Sequence, residues 1–211
     1  MIFSATFGGA IVWAAATSSF NQTINPGTLS VDIVDSSYNP VTSPAVDMNA
    51  VTFSFSCQSS TGTFGTASQV IYVKNPDAAD SGWVVSLAAS SPTAYWNSAG
   101  TSMDFNDPSG SGCTDGADSD SFRGQMTVDP SVSTLSTGGC LSCNTSNITK
   151  GSSSAFSEGT TNSITILNGA AGSSDIGDWR LTGVNISQTI PAEQPAASDY
   201  SLNLTLSIVA N

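Results

Sequence analysis

The chain has 211 residues, of which 9% are charged: four basic against sixteen acidic side chains, no histidine, and a formal charge of −12. That length and a 39% apolar content suit a single globular domain. The negative charge excludes nucleic acid and anionic lipid as natural partners, and without histidine no Ser-His-Asp or Cys-His arrangement can form, so no enzyme is expected.

The N-terminal block is the one long apolar stretch. Residues 1–16 carry no charge, and three readings of them stay open. A secretory signal would begin with basic residues, yet no Lys or Arg precedes Lys74. A membrane helix would be longer and would lack Gly8-Gly9 at its centre. As a strand, Met1, Phe3, Ala5, Phe7, Ile11 and Trp13 share one face, with Ser4, Thr6 and Gly8 among the alternate positions. Such a strand packs in its own domain or completes the sheet of another copy. The expected division is an apolar extension over residues 1–22 and a β-sandwich over 23–211. Phe3, Phe7, Ile11 and Trp13 are then the candidate polymerisation residues.

Beyond it, Ser and Thr make up more than a quarter of the residues, and strong helix formers are few. Leu29, Val31 and Ile33 alternate with polar neighbours and predict a strand. Val51, Phe53, Phe55 and Cys57 predict another, half-buried, with Ser59 to Gly65 as a loop. Strands are predicted again over 69–74, 82–87, 125–128, 147–149 and 163–167. Trp179 to Ile190 reads as one long strand bulged near Gly183. The most regular alternation is the last, with Leu202, Leu204, Leu206 and Ile208 on one face. Residues 91–123 are irregular, with Tyr95-Trp96 as their apolar plug. Nine to eleven short strands and no helix predict an all-β, jelly-roll-like single sandwich.

Two clusters carry chemistry. Asp104, Asn106, Asp107, Asp115, Asp118 and Asp120 fall within seventeen residues, and hard oxygen donors on a loop suit a structural Ca2+. The alternative is that they make Asx-turns in a solvated loop. Cys57, Cys113, Cys140 and Cys143 are expected to form two disulfides, with all three connectivities open. Zinc at Cys140-x-x-Cys143 would need two more ligands, and no histidine offers one. Disulfides imply an extracellular, cell-surface location.

Asn75-Pro-Asp-Ala-Ala-Asp-Ser-Gly-Trp-Val-Val-Ser-Leu87, with Trp179-Arg-Leu181 and Tyr200-Ser-Leu-Asn-Leu-Thr-Leu206, resembles the WxL surface domains of Gram-positive bacteria. That resemblance implies binding to the cell wall. Phe53-Ser-Phe-Ser-Cys-Gln58, Asp104-Phe-Asn-Asp-Pro108, Gly112-Cys-Thr-Asp-Gly-Ala-Asp118 and Gln188-Thr-Ile-Pro-Ala-Glu-Gln194 resemble uncharacterised secreted proteins of candidate-phyla bacteria. Phe20-Asn-Gln-Thr-Ile-Asn-Pro-Gly-Thr-Leu29 is similar to the start of mature TasA/camelysin-type fibre subunits, which implies a jelly-roll-like domain that polymerises by donating an N-terminal strand. The expected function is therefore a filament subunit whose partners are other copies of itself. The alternative is a monomeric glycan- or cell-wall-binding module that uses Trp96 and calcium.

Overall fold

Period-two patterns become strands where one face can be buried. The computed structural model describes residues 19–76, 81–116, 120–173 and 176–211. In chain order the strands are β1 (Ser30–Val34), β2 (Gln58–Phe64), β3 (Val70–Asn75), β4 (Trp83–Ala89), β5 (Trp96–Ser98), β6 (Thr101–Met103) and β7 (Gln125–Asp129). They continue as β8 (Thr134–Thr137), β9 (Ile148–Lys150), β10 (Ser154–Ala155), β11 (Ser163–Gly169), β12 (Gly177–Thr182), β13 (Val184–Ile190) and β14 (Leu204–Ala210). The only helical element among the described residues is a 3-10 turn at Ser109–Gly112. The protein is all-β, and its strand pairs are antiparallel.

Two four-stranded arrays, β1-β3-β12-β8 and β10-β7-β13-β2, are the halves of one bent sheet. In sequence β2 leads into β3, β7 into β8 and β12 into β13. The pairings β2–β13–β7 in one half continue as β3–β12–β8 in the other. The corner lies at residues 65–69, 130–133 and 183. Gly183 (φ +81°) and Gly65 (φ +82°) take the left-handed conformation there, and the Gly183 N–H donates to the Gly65 carbonyl at 2.7 Å. A Cβ on Gly183 would meet nothing closer than 4.0 Å, so the cost of a side chain is conformational. Gly183→Ala is expected to lower stability by about 1–2 kcal/mol, read by urea unfolding. A variant as stable as the parent would remove Gly183 as the corner's determinant.

The second layer is the sheet β14-β4-β11-β9. One apolar core joins the layers. Trp83 of β4 and Trp179 of β12 are both buried, their ring centroids 5.5 Å apart. Ile71, Val73, Val85, Ile164 and Leu181 pack in the same cluster. A register shift between Thr165 and Leu167 lets β11 bury Ile166 and Leu167 in succession.

Three expectations from the sequence are corrected. Residues 51–57 form no strand, and Val51, Phe53 and Phe55 are exposed. Ser54 Oγ accepts the Ser56 N–H at 2.9 Å, and the Thr52 carbonyl is taken by Gln58 Nε2 at 2.8 Å, so local side-chain bonds replace a ladder. The predicted loop 59–65 is instead mostly strand β2, whose inward positions are Ser60, Gly62 and Phe64. Its apolar signal is missing because Val46 and Met48 cross too close for a larger residue: a Cβ on Gly62 would lie 2.6 Å from Met48 Sδ. Residues 179–190 are not one bulged strand but parts of β12 and β13, in the two halves of the bent sheet.

Candidate functional site

The apolar faces of β1 and β14 meet at one side of the sandwich without closing it. Val31 and Ile33 of β1, and Leu204, Leu206 and Ile208 of β14, are half-buried, as is Leu202. β14 pairs with β4 from Leu204↔Ala89 to Ala210↔Trp83 and has no second strand neighbour among the described residues. Between these edges lies a groove of about 360 Å3. Ile33, Val46 and Met48 form one wall and Leu202, Leu204 and Leu206 the other, over a floor of Leu87, Met126 and Ile186. The floor residues are buried, with none more than 4% exposed. The opening therefore reaches the core.

The outer wall is a chain segment laid along β2. The Asn49 N–H donates to the Thr61 carbonyl at 2.7 Å, and Ser60 Oγ donates to the Asn49 carbonyl at 2.5 Å. Val46 and Met48 point inward by the same alternation that would hold in a strand. A second cavity of about 500 Å3 shares Val46, Met48, Trp96 and Tyr200 with the groove and extends it past Asn49, Gln58 and Gln194. Trp96 is half-buried between the two, its indole N–H donating to Gln188 Oε1 at 2.9 Å. The predicted plug of residues 91–123 is thus a partition wall. The buried aromatic of that region is Phe105, against Phe156 at 5.1 Å.

Asp199 ties the end of a cavity-lining segment, residues 194–200, to β5. Its carboxylate accepts the Ser98 hydroxyl and, at 3.5 Å, the Ala99 N–H, beside the reciprocal Asn97–Ser201 backbone pair at 2.9 Å. The Ser98 bond first, then Ala99, hold its carboxyl below the usual range. A depressed folded value means this clamp contributes at pH values above the unfolded carboxyl's and is lost as pH falls through the folded value. Hydrogen exchange at the Asn97 and Ser201 amides is expected to quicken in that acid window, and Asp199→Asn to show the quick rate at pH 7. Slow exchange in the variant at pH 7 would show that Asp199 does not hold this end.

No protein-family model matches the chain, and no curated protein or solved structure matches it. The reading of the site therefore rests on its own residues.

Of the candidate polymerisation residues, Phe3, Phe7, Ile11 and Trp13 lie outside the described residues. The described end of that segment, residues 19–22, is exposed, with Phe20 95% accessible. Of the acidic cluster, Asp118 lies outside the described residues. Asp104, Asn106 and Asp107 are buried, and Asp115 is exposed. Asp107 accepts the N–H groups of Ser109 at 2.8 Å and Gly116 at 3.0 Å, Asp104 that of Phe105 at 2.6 Å, and Asp120 that of Phe122 at 2.8 Å. Asn106 donates to the Pro92 carbonyl at 2.7 Å. Asp104, Asn106, Asp107 and Asp120 thus bind backbone groups of the chain around them.

The cysteines pair as Cys57–Cys113 and Cys140–Cys143. Sequence reasoning missed Asp178, which organises the second pair, because 35 residues separate it from Cys143 and no spacing signal links them.

Proposed function

We propose that this chain is a structural subunit of an extracellular surface filament, in which residues 1–22 of one copy lie in the β1/β14 groove of the next. The observation that supports this reading is a core-deep apolar groove beside a strand edge without a neighbour among the described residues. An added strand on β14 would satisfy that edge and cover the groove together. The apolar alternation of Met1, Phe3, Ala5 and Phe7 suits a wall of Leu202, Leu204 and Leu206. Each buried Phe, Ile or Trp contributes about 1.5–3 kcal/mol before the cost of association. A head-to-tail contact between unlike surfaces does not close on itself, so it propagates.

The disulfides fit an oxidising compartment, and among the described residues no helix is long and apolar enough to cross a membrane. Electron micrographs of the native protein at rising concentration test the proposal. Regular fibres that appear above a threshold concentration support it, and compact monomers throughout would overturn it. A second reading, a monomeric glycan-binding module, is favoured by one feature: the 500 Å3 cavity pairs Trp96 with Asn49, Gln58 and Gln194. That reading requires a monomer that binds cell-wall glycan in calorimetry and loses binding with Trp96→Ala.

A further inference from the structure

Outside the groove, the loop Gly138–Cys143 is built around one buried carboxylate. Asp178 Oδ1 accepts the Cys140 N–H and Oδ2 the Gly139 N–H, each at 2.8 Å, and the Tyr72 hydroxyl also donates to Oδ2. The Asp178 carbonyl accepts the Gly138 N–H at 2.8 Å, and both sulfurs sit over that carbonyl, Cys140 Sγ at 3.7 Å and Cys143 Sγ at 3.6 Å. On the far side Trp179 Nε1 donates to the Asn144 carbonyl at 2.8 Å. The loop is thus pinned at both ends by bonds that do not involve the S–S link.

The link itself restrains little. A disulfide spanning so short a loop, with a separation of 3, restrains the unfolded chain far less than Cys57–Cys113 with its separation of 56. Opening it would leave two sulfurs over the Asp178 carbonyl, with the fixed carboxylate of the same residue close by. Cys140 Sγ, Cys143 Sγ and an Asp178 oxygen lie within 4.8 Å of one another, the one such triad among the described residues. A carboxylate has about four lone-pair positions, and three donors occupy Asp178, so one position is left. Thiolate and carboxylate oxygen are both donors that Zn2+ accepts, and three protein ligands with an open fourth position is a stable pattern.

We infer that the reduced loop is a binding site for a zinc-class divalent cation, held by Cys140, Cys143 and Asp178 with solvent in the fourth position. The two states exclude each other. An external dithiol reduces the link by two electrons, giving two Cys–SH groups and its own cyclic disulfide. Zn2+ then displaces the two thiol protons to solvent and forms two Zn–S bonds. Disulfide and metal are thereby alternative clasps on one loop.

The test uses the full chain, treated with dithiol, desalted without oxygen, and given Zn2+ alone. The expected result is one Zn2+ per chain, with Cys140 and Cys143 shielded from alkylation in a mass-spectrometric map. X-ray absorption at zinc is expected to show two sulfur neighbours and lighter oxygen neighbours. Asp178→Asn is expected to weaken binding about tenfold or more. Absence of shielding would overturn the proposal, as would binding that survives Cys140→Ser with Cys143→Ser. An X-ray absorption shell without sulfur, or with sulfur alone, would overturn it on the unaltered protein, whatever Asp178→Asn does to folding.

Discussion

Deleting residues 1–22 is expected to abolish fibres and to leave a folded monomer. The described part of the deleted segment, residues 19–22, is exposed, and β1 begins only at Ser30. The groove stays empty in the truncated chain, so that chain still accepts a strand but cannot donate one. The complementary variant is Leu204→Asp, which places a carboxylate in the groove wall. Leu204 is half-buried, so the domain is expected to lose only about 1–3 kcal/mol and to remain folded at 25 °C. It still donates but no longer accepts. Neither variant alone makes fibres. Mixed, they are expected to form one-to-one pairs that grow no further, read by size-exclusion chromatography with light scattering. Fibres from the truncated chain, or a mixture that stays monomeric while the parent protein polymerises, would refute strand donation into this groove.

Removing the Cys57–Cys113 link is expected to be the most destabilising of the two disulfide losses. Its loop closes 56 residues of separation, and the chain-entropy relation gives about 4 kcal/mol. For a domain of this size each kcal/mol shifts Tm by about 2–4 °C, so Cys57→Ala with Cys113→Ala should lower Tm by roughly 8–16 °C in calorimetry. Cys140→Ala with Cys143→Ala should cost about half as much. The reason lies in what each link ties together. Cys57 lies directly before β2, and Cys113 follows the 3-10 turn in the irregular stretch that Asp104 and Asp107 hold in shape. Equal Tm losses from the two double variants would show that loop length does not govern either link.

Much of the strand content was legible because it is written as alternation. β1, β4 and β14 carry their apolar residues by alternation and form close to their predicted places, as do β3 and β11, which bury apolar residues in succession. Trp83 and Trp179, both within predicted strands, are buried against each other. The irregularity of residues 91–123 also held: among the described residues there, only the short β5–β6 hairpin and a 3-10 turn interrupt it.

The failures share a cause. The Val51–Cys57 alternation satisfied a local rule, but its residues turn on their own hydroxyl and amide side chains and leave Phe55 78% exposed. β2 had no apolar signal because its inner slots take Ser60 and Gly62 beneath Met48. Gly183 was visible as a break, yet a bulge and a corner look alike until the partners of β12 and β13 are known.

By itself the sequence determined the all-β class, the disulfide-forming chemistry and an apolar opening segment, since these depend on composition and on neighbours one or two residues apart. Only the tertiary structure decided which strands share a sheet, where the sandwich stays open between β1 and β14, and that Asp178 lies under Cys140 and Cys143. Those are contacts between residues tens of positions apart, and they are selected by how whole faces pack, which no local pattern encodes.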